Sequence, residues 1–157
     1  MRDRSDAFET FFDEYFEPVL RAISVAFREP KLSEEATREA FVRAYTQWPR
    51  VRRMERPATW LYVTASRHAL RRRRSGPAAA PATSDPDTLE RAIEELAERE
   101  RLALVLHHHA GLSTGEMARA LRCSPAAATS TLREAHRRLG VERADDDDIP
   151  EVELDAP

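Results

Sequence analysis

A chain of 157 residues with 41% hydrophobic and 34% charged residues has room for one ordinary domain or two small ones. It has no apolar run long enough to span a membrane and no apolar secretion signal near Met1, and its single cysteine, Cys123, excludes an internal disulfide and a cysteine-based zinc site. The net charge of −3 hides an alternation: −3 over residues 1–47, +8 over 48–74, −5 over 75–98, +4 over 99–143 and −7 over 144–157. Two basic blocks of this kind are the electrostatic footprint of phosphate binding, and a cytoplasmic protein without membrane contact is expected.

From Asp6 to Phe27, apolar residues at 8, 11, 12, 15, 16, 19, 20, 23, 26 and 27 form one broad helical stripe. Pro18 lies within it and is expected to kink the helix or remove one backbone bond. A second helix is expected to start after Ser33, with Glu34 and Glu35 favoured in its first turn by the helix dipole. Its inward residues are Ala36, Ala40, Phe41, Ala44, Tyr45 and Trp48, and Pro49 ends it. The basic connector "RVRRMER" follows. Pro57 then opens a third helix that packs through Trp60, Leu61, Thr64, Ala65, His68 and Ala69 and runs into Arg71–Arg74.

Residues 75–86, "SGPAAAPATSDP", have no apolar period and read as a flexible linker. Four short helices are expected beyond it. Leu89, Ile93 and Leu96 mark the first, and Leu102, Val105 and Leu106 mark the second, which stops at Gly111. Ser113 caps the third, with Glu116 completing a capping box. Ser124 and Pro125 open the fourth, which keeps Ala128, Leu132, Ala135 and Leu139 on one side until Gly140 terminates it. A short helix, a tight turn and a longer basic helix make the helix-turn-helix pattern, which places the second helix in a DNA groove. Residues 144–157, "ADDDDIPEVELDAP", form an acidic tail too poor in apolar residues to fold. Two readings of it stay open: a tethered anion that competes with duplex DNA for the adjacent basic module, and a solvated end that aids solubility or docks another protein.

Taken in order, "FETFFDEYFEPVLRAI", "EEATREAFVRAYTQW", "PATWLYVTASRHALRRRR" and "LERAIEELAERERLALVLHHHAGLSTGEMARALRCSPAAATSTLREAHRRL" resemble an extracytoplasmic-function sigma factor over residues 8–139. The most specific pieces are "EAFVRAY", "TWLY" and "LSTGEMARAL" followed by a helix that begins at serine. The resemblance implies an all-α protein of two small helical domains: region two over 1–74 and region four over 87–143, joined by the linker 75–86. It also implies promoter-specific transcription initiation with core RNA polymerase, through the polymerase clamp helices and flap, and regulation by an anti-sigma factor.

By position, the resemblance places Glu35, Arg38, Glu39, Phe41 and Val42 in the polymerase-binding helix. It places Arg52, Arg53, Glu55 and Arg56 in the loop that captures an unstacked base, and Arg67, His68, Arg71 and Arg72 on the helix that meets the −10 strand. Ser124, Ala127, Thr129, Ser130, Thr131, Arg133 and Arg137 fall on the −35 helix. The sequence departs from the family pattern at several of these sites. Ala36 and Arg38 stand where leucine and glutamine are usual, and Arg67 and Arg71 where asparagine and aspartate are frequent. Arg122 replaces a common turn glycine, at a cost of about 1 kcal/mol if that position is left-handed. Thr129 and Thr131 stand where lysine and arginine are common, so phosphate contact and shape readout are expected to outweigh direct base bonds.

Other features read as structural. Successive helical residues point about 100° apart, so His107, His108 and His109 cannot converge on one ion. One is expected packed and two exposed, with no metal and no cofactor. Trp48 and Trp60 read as core residues, and Cys123 as a small buried apolar group. No carboxylate is paired with a plausible nucleophile, so no enzyme is expected. Two other readings stay open: a sigma-like adaptor that binds polymerase or another protein without reading promoters, and a plain helix-turn-helix regulator.

Overall fold

In the computed structural model, residues 2–74 and 89–140 are described, and every regular element among them is helical. The expected linker, 75–86, and acidic tail, 144–157, lie outside the described residues.

The first helix, α1 (Arg2–Phe27), passes through Pro18 without ending and buries Phe11, Val19, Ala22, Ile23, Ala26 and Phe27. The second, α2 (Pro30–Thr46), starts before Ser33 because Pro30 is preset for a first helical turn. Ser33 is therefore inside the helix rather than capping it. It is fully buried, and its hydroxyl donates to the Glu29 carbonyl at 2.8 Å. The chain also turns earlier than expected at the other end: α2 stops at Thr46, and Pro49 sits in the first turn of a separate short helix, α3 (Trp48–Val51). This break lets Trp48 reach the core while Tyr45, expected inward, stays exposed. Phe8 and Phe11 meet Trp48 at ring-centroid distances of 5.3 and 5.0 Å, and Phe12 meets Phe41 edge-on at 5.0 Å. The fourth helix, α4 (Pro57–Arg74), packs along α2 and buries Leu61, Tyr62, Ala65, Ala69 and Leu70. Each large apolar side chain so buried contributes about 1.5–3 kcal/mol, and the facing alanines Ala36, Ala40 and Ala44 allow close approach.

Beyond the linker come α5 (Leu89–Glu94) and α6 (Glu98–Leu104), which runs into a π-helical turn, Val105–His109. Gly111, at φ +66°, makes the left-handed turn that ends this segment, as its glycine suggested. In α7 (Thr114–Leu121), the Ser113 hydroxyl accepts from the Glu116 amide, and the Glu116 carboxylate accepts from the Ser113 amide. In α8 (Pro125–Arg138), Ser124 caps the start by accepting from the Ala127 amide at 3.1 Å. Leu102, Leu106, Leu112, Met117, Leu121, Ala128, Leu132 and Ala135 form the core of this half.

The two halves are packed together: α6 and the π-turn lie against α1, and α7 lies against α4. Arginines line the seam. Arg101 is almost fully buried, and its guanidinium donates to the carbonyls of Ala26, Glu94 and Leu96. A cation is thus set among the unpaired carbonyls at the ends of α1 and α5. Arg73 pairs with Glu29 at 2.6 Å and Glu98 at 2.7 Å and donates to the Phe27 carbonyl, while Arg28 pairs with Glu94 at 3.0 Å.

Candidate nucleic-acid interface

The +8 block does not present one basic face. Arg52 and Arg53 are exposed in the turn after α3, and Arg71 and Arg72 are exposed near the end of α4. Three other arginines of the block, Arg56, Arg67 and Arg73, turn toward the second half. Arg56 pairs with Glu116 at 2.5 Å and donates to the Gly111 carbonyl, and Arg67 Nε donates to the Arg119 carbonyl at 2.9 Å. Burial works to raise the Glu116 carboxyl, but the hydrogen bonds from Ser113 and the charge of Arg56 outweigh it and hold it below its ordinary value. Arg73 belongs to the seam. Sequence reading missed this because charge counting cannot separate an arginine facing phosphate from one facing helix-end carbonyls. The acids Glu29, Glu94 and Glu98, spread over both halves, were the available signal.

On α8, Ser124 and Ala127 lie at the exposed N-terminal end, with Ser130 and Arg133 exposed further along. The Thr129 and Thr131 hydroxyls donate to the Pro125 and Ala127 carbonyls of their own helix, at 3.0 and 2.9 Å, which leaves only their acceptor sides free. Arg137 makes two bonds to Glu134, which also accepts from Arg138 at 3.1 Å. These hydrogen bonds lower the Glu134 carboxyl to about 2.

The residues expected to meet polymerase lie along α2. Glu35 and Arg38 are exposed, Glu39 is half-buried and paired with Arg43 at 2.8 Å, and Val42 is 62% exposed. Phe41 is the exception: it is 3% exposed and packs against α1, so it supports this surface from beneath. Tyr45 and Phe12, which sequence reading placed elsewhere, join Val42 as exposed apolar side chains. Glu35 links the two sets of residues, accepting from Arg72 at 3.0 Å and lying 3.2 Å from His68 Nε2.

Of the three histidines, His107 is half-buried and His108 and His109 are exposed. Among the described residues no His, Cys, Asp or Glu cluster suits a metal ion. His108 Nε2 instead lies 2.8 Å from His136 Nε2 on α8, so one ring donates and the other accepts. Burial, then the neighbouring His107 and His136, hold the His108 imidazolium below its ordinary value. The folded chain therefore binds fewer protons here than the unfolded chain, and stability is lost as pH falls through the unfolded imidazole value of about 6.5. We expect the urea midpoint to drop more between about pH 7 and about pH 5.5 in the native chain than in His108→Gln. Equal drops would remove the pair as the cause. Trp48 is core, as expected, with its Nε1 buried and without a partner, whereas Trp60 and Cys123 are only partly buried.

Residues 4–76 match the family model for sigma-70 region 2, and residues 87–139 match that for sigma-70 region 4. Among solved structures, the chain is similar to the sigma factor RpoE crystallised with the anti-sigma factor NepR from Bartonella quintana. The TM-score is 0.67 at 16% identity, over 87% of this chain and 99% of that one. It also matches a chain of the RsbN–BldN complex, with a TM-score of 0.40 at 22% identity over 88% of this chain and 95% of that one. Comparison with curated proteins gives no match.

Proposed function

The chain belongs to the sigma-70 family, as a sigma factor of the extracytoplasmic-function type, and from that premise we propose that it binds core RNA polymerase and directs initiation at promoters read through −10 and −35 elements. The observation that carries this reading is the presence of both regions, in order, on one chain. Such a protein is an initiation factor rather than an enzyme. Polymerase docks on the exposed side of α2, where Glu35, Arg38, Glu39 and Val42 stand with Tyr45, and Phe41 supports them from the core. Arg52, Arg53, Arg71 and Arg72 meet the opened −10 strand, whose unstacking costs a few kcal/mol per step and must be repaid by binding single strands. Among the described residues no helix is long and apolar enough to cross a membrane, and work in the cytoplasm on nucleoid DNA follows from the proposed role.

Arg56 and Arg67 are engaged by the second half, so promoter binding requires the halves to part. An anti-sigma factor, the kind of partner bound to the solved RpoE, would hold the protein away from polymerase. Reconstituted transcription with core polymerase on genomic fragments tests the whole reading. Specific initiation supports it. Core binding without initiation would instead favour an adaptor, and duplex binding that needs no core would favour a plain regulator.

The two candidate arginines of α8 should contribute unequally. Arg133 is exposed and has no acidic partner among the described residues, whereas Arg137 is doubly bonded to Glu134. Arg133→Ala is expected to weaken −35 binding by about 1–3 kcal/mol if it meets a base. Arg137→Ala should cost less, because that side chain must first leave Glu134. Filter or anisotropy titrations on −35 duplexes check the order, and equal losses would contradict it.

A further inference from the structure

A cavity of about 400 Å³ lies where α4 meets α7 and the turn into α8, lined by Arg67, Gly115, Ala118, Arg119, Arg122, Cys123 and Pro125. Three of these residues are arginines, and no carboxylate lines the cavity among the described residues. They come from both halves of the molecule: Arg67 from α4, Arg119 from α7 and Arg122 from the turn. Their charges oppose one another. Burial, then Arg122, Arg119 and Arg71, pull the Arg67 guanidinium below its ordinary value.

One of the two left-handed non-glycine residues among the described residues lies here, and the other, Arg28, lies in the seam. Arg122 has φ +54° and ψ +49°, a left-handed conformation that disfavours a non-glycine residue. A glycine would turn the chain without that cost, but it would bring no guanidinium to the cavity. Pro125, the first residue of α8, also borders the space, so the positive end of that helix dipole adds to the field.

We propose that this cavity binds a free, compact phosphate-bearing anion, which bridges Arg67 of the first half to Arg119 and Arg122 of the second. The chemistry is suited to it. Guanidinium groups give paired hydrogen bonds to phosphate oxygens, and a multivalent oxyanion relieves the repulsion of three converging cations. Because the ligand touches both halves, it ties them together and opposes their parting on DNA. The binding goes beyond the sigma-factor reading, and only its consequence for DNA rests on that reading.

Inorganic pyrophosphate is the probe, added to the full chain at constant ionic strength with sodium chloride as the balancing salt. Cys123, the single cysteine, borders the cavity and reports occupancy through its rate of reaction with a thiol reagent. At ten times its dissociation constant, pyrophosphate should slow this reaction about tenfold and raise the calorimetric melting temperature. Arg122→Gly, which also relieves the left-handed backbone, and Arg119→Gln should each abolish both effects, whereas Arg50→Ala, at an exposed arginine away from the cavity, should keep them. The proposal is overturned if chloride alone gives the same protection, or if the two variants respond like the native chain. It is equally overturned if a short DNA duplex protects Cys123 and pyrophosphate does not, since the site would then belong to promoter phosphates.

Discussion

Arg101→Met is expected to release the second half of the protein from the first. Arg101 donates to the Ala26 carbonyl in the last turn of α1 and to the carbonyls of Glu94 and Leu96 around the end of α5. Methionine fills much of the volume but donates nothing, and it leaves carbonyls that must find water or stay unpaired. A buried carbonyl left in this way costs about 1–3 kcal/mol. Burial, then Arg28 beside it, already lower the proton affinity of Arg101, yet a guanidinium remains charged in proteins. A loss of about 1–3 kcal/mol should therefore fall on the packing of the halves, since Arg101 lies between them. Small-angle scattering should show a larger radius for the variant at unchanged helix content. An unchanged radius would mean that the apolar contacts hold the halves together alone.

The paired substitution Arg71→Ala, Arg72→Ala should remove promoter opening while sparing both polymerase binding and the fold. Both side chains are exposed on α4, and Arg72 is held by Glu35 in a solvent-exposed pair. Exposed pairs of this kind contribute about 0–1 kcal/mol, so Arg72 can exchange Glu35 for a phosphate at little cost. Losing two phosphate contacts should reduce heparin-resistant open complexes by at least about tenfold and flatten their salt dependence. Arg73→Ala makes a sharp contrast. One position further along, it faces Glu29, Glu98 and the Phe27 carbonyl, so its loss should loosen the packed halves. Wild-type levels of open complex in the double variant would show that the end of α4 does not touch DNA.

The helices were largely legible in the sequence because their punctuation is local. Ser113 with Glu116, Ser124 with Pro125, and Gly111 each act within one turn of chain, and each stands where the residue type required. Local misreadings came where two signals competed. The helix looked set to start after Ser33, but Pro30 had already set it. Pro49 looked like a terminator, but the chain had already turned after Thr46. The packing of the halves was not legible, because Arg73 and Arg101 are separated in sequence from the groups they satisfy and their chemistry also suits phosphate. The αL conformation at Arg122 was anticipated only as a condition on the turn, since its neighbours alone do not determine φ.

The ring packing of α1, α2 and α3 has a spectroscopic consequence. Every phenylalanine, tyrosine and tryptophan of the chain lies within residues 1–74. The second half is built from leucine, methionine and alanine and has no near-ultraviolet chromophore beyond its single thiol. Tryptophan emission therefore reports on the first half, through Trp48 in the Phe8–Phe11 cluster and Trp60 on α4, and no tryptophan lies in α6, α7 or α8. Far-ultraviolet dichroism records the helices of both halves. The gap between the two melting curves thus measures, without any label, whether the second half unfolds with its neighbour or before it.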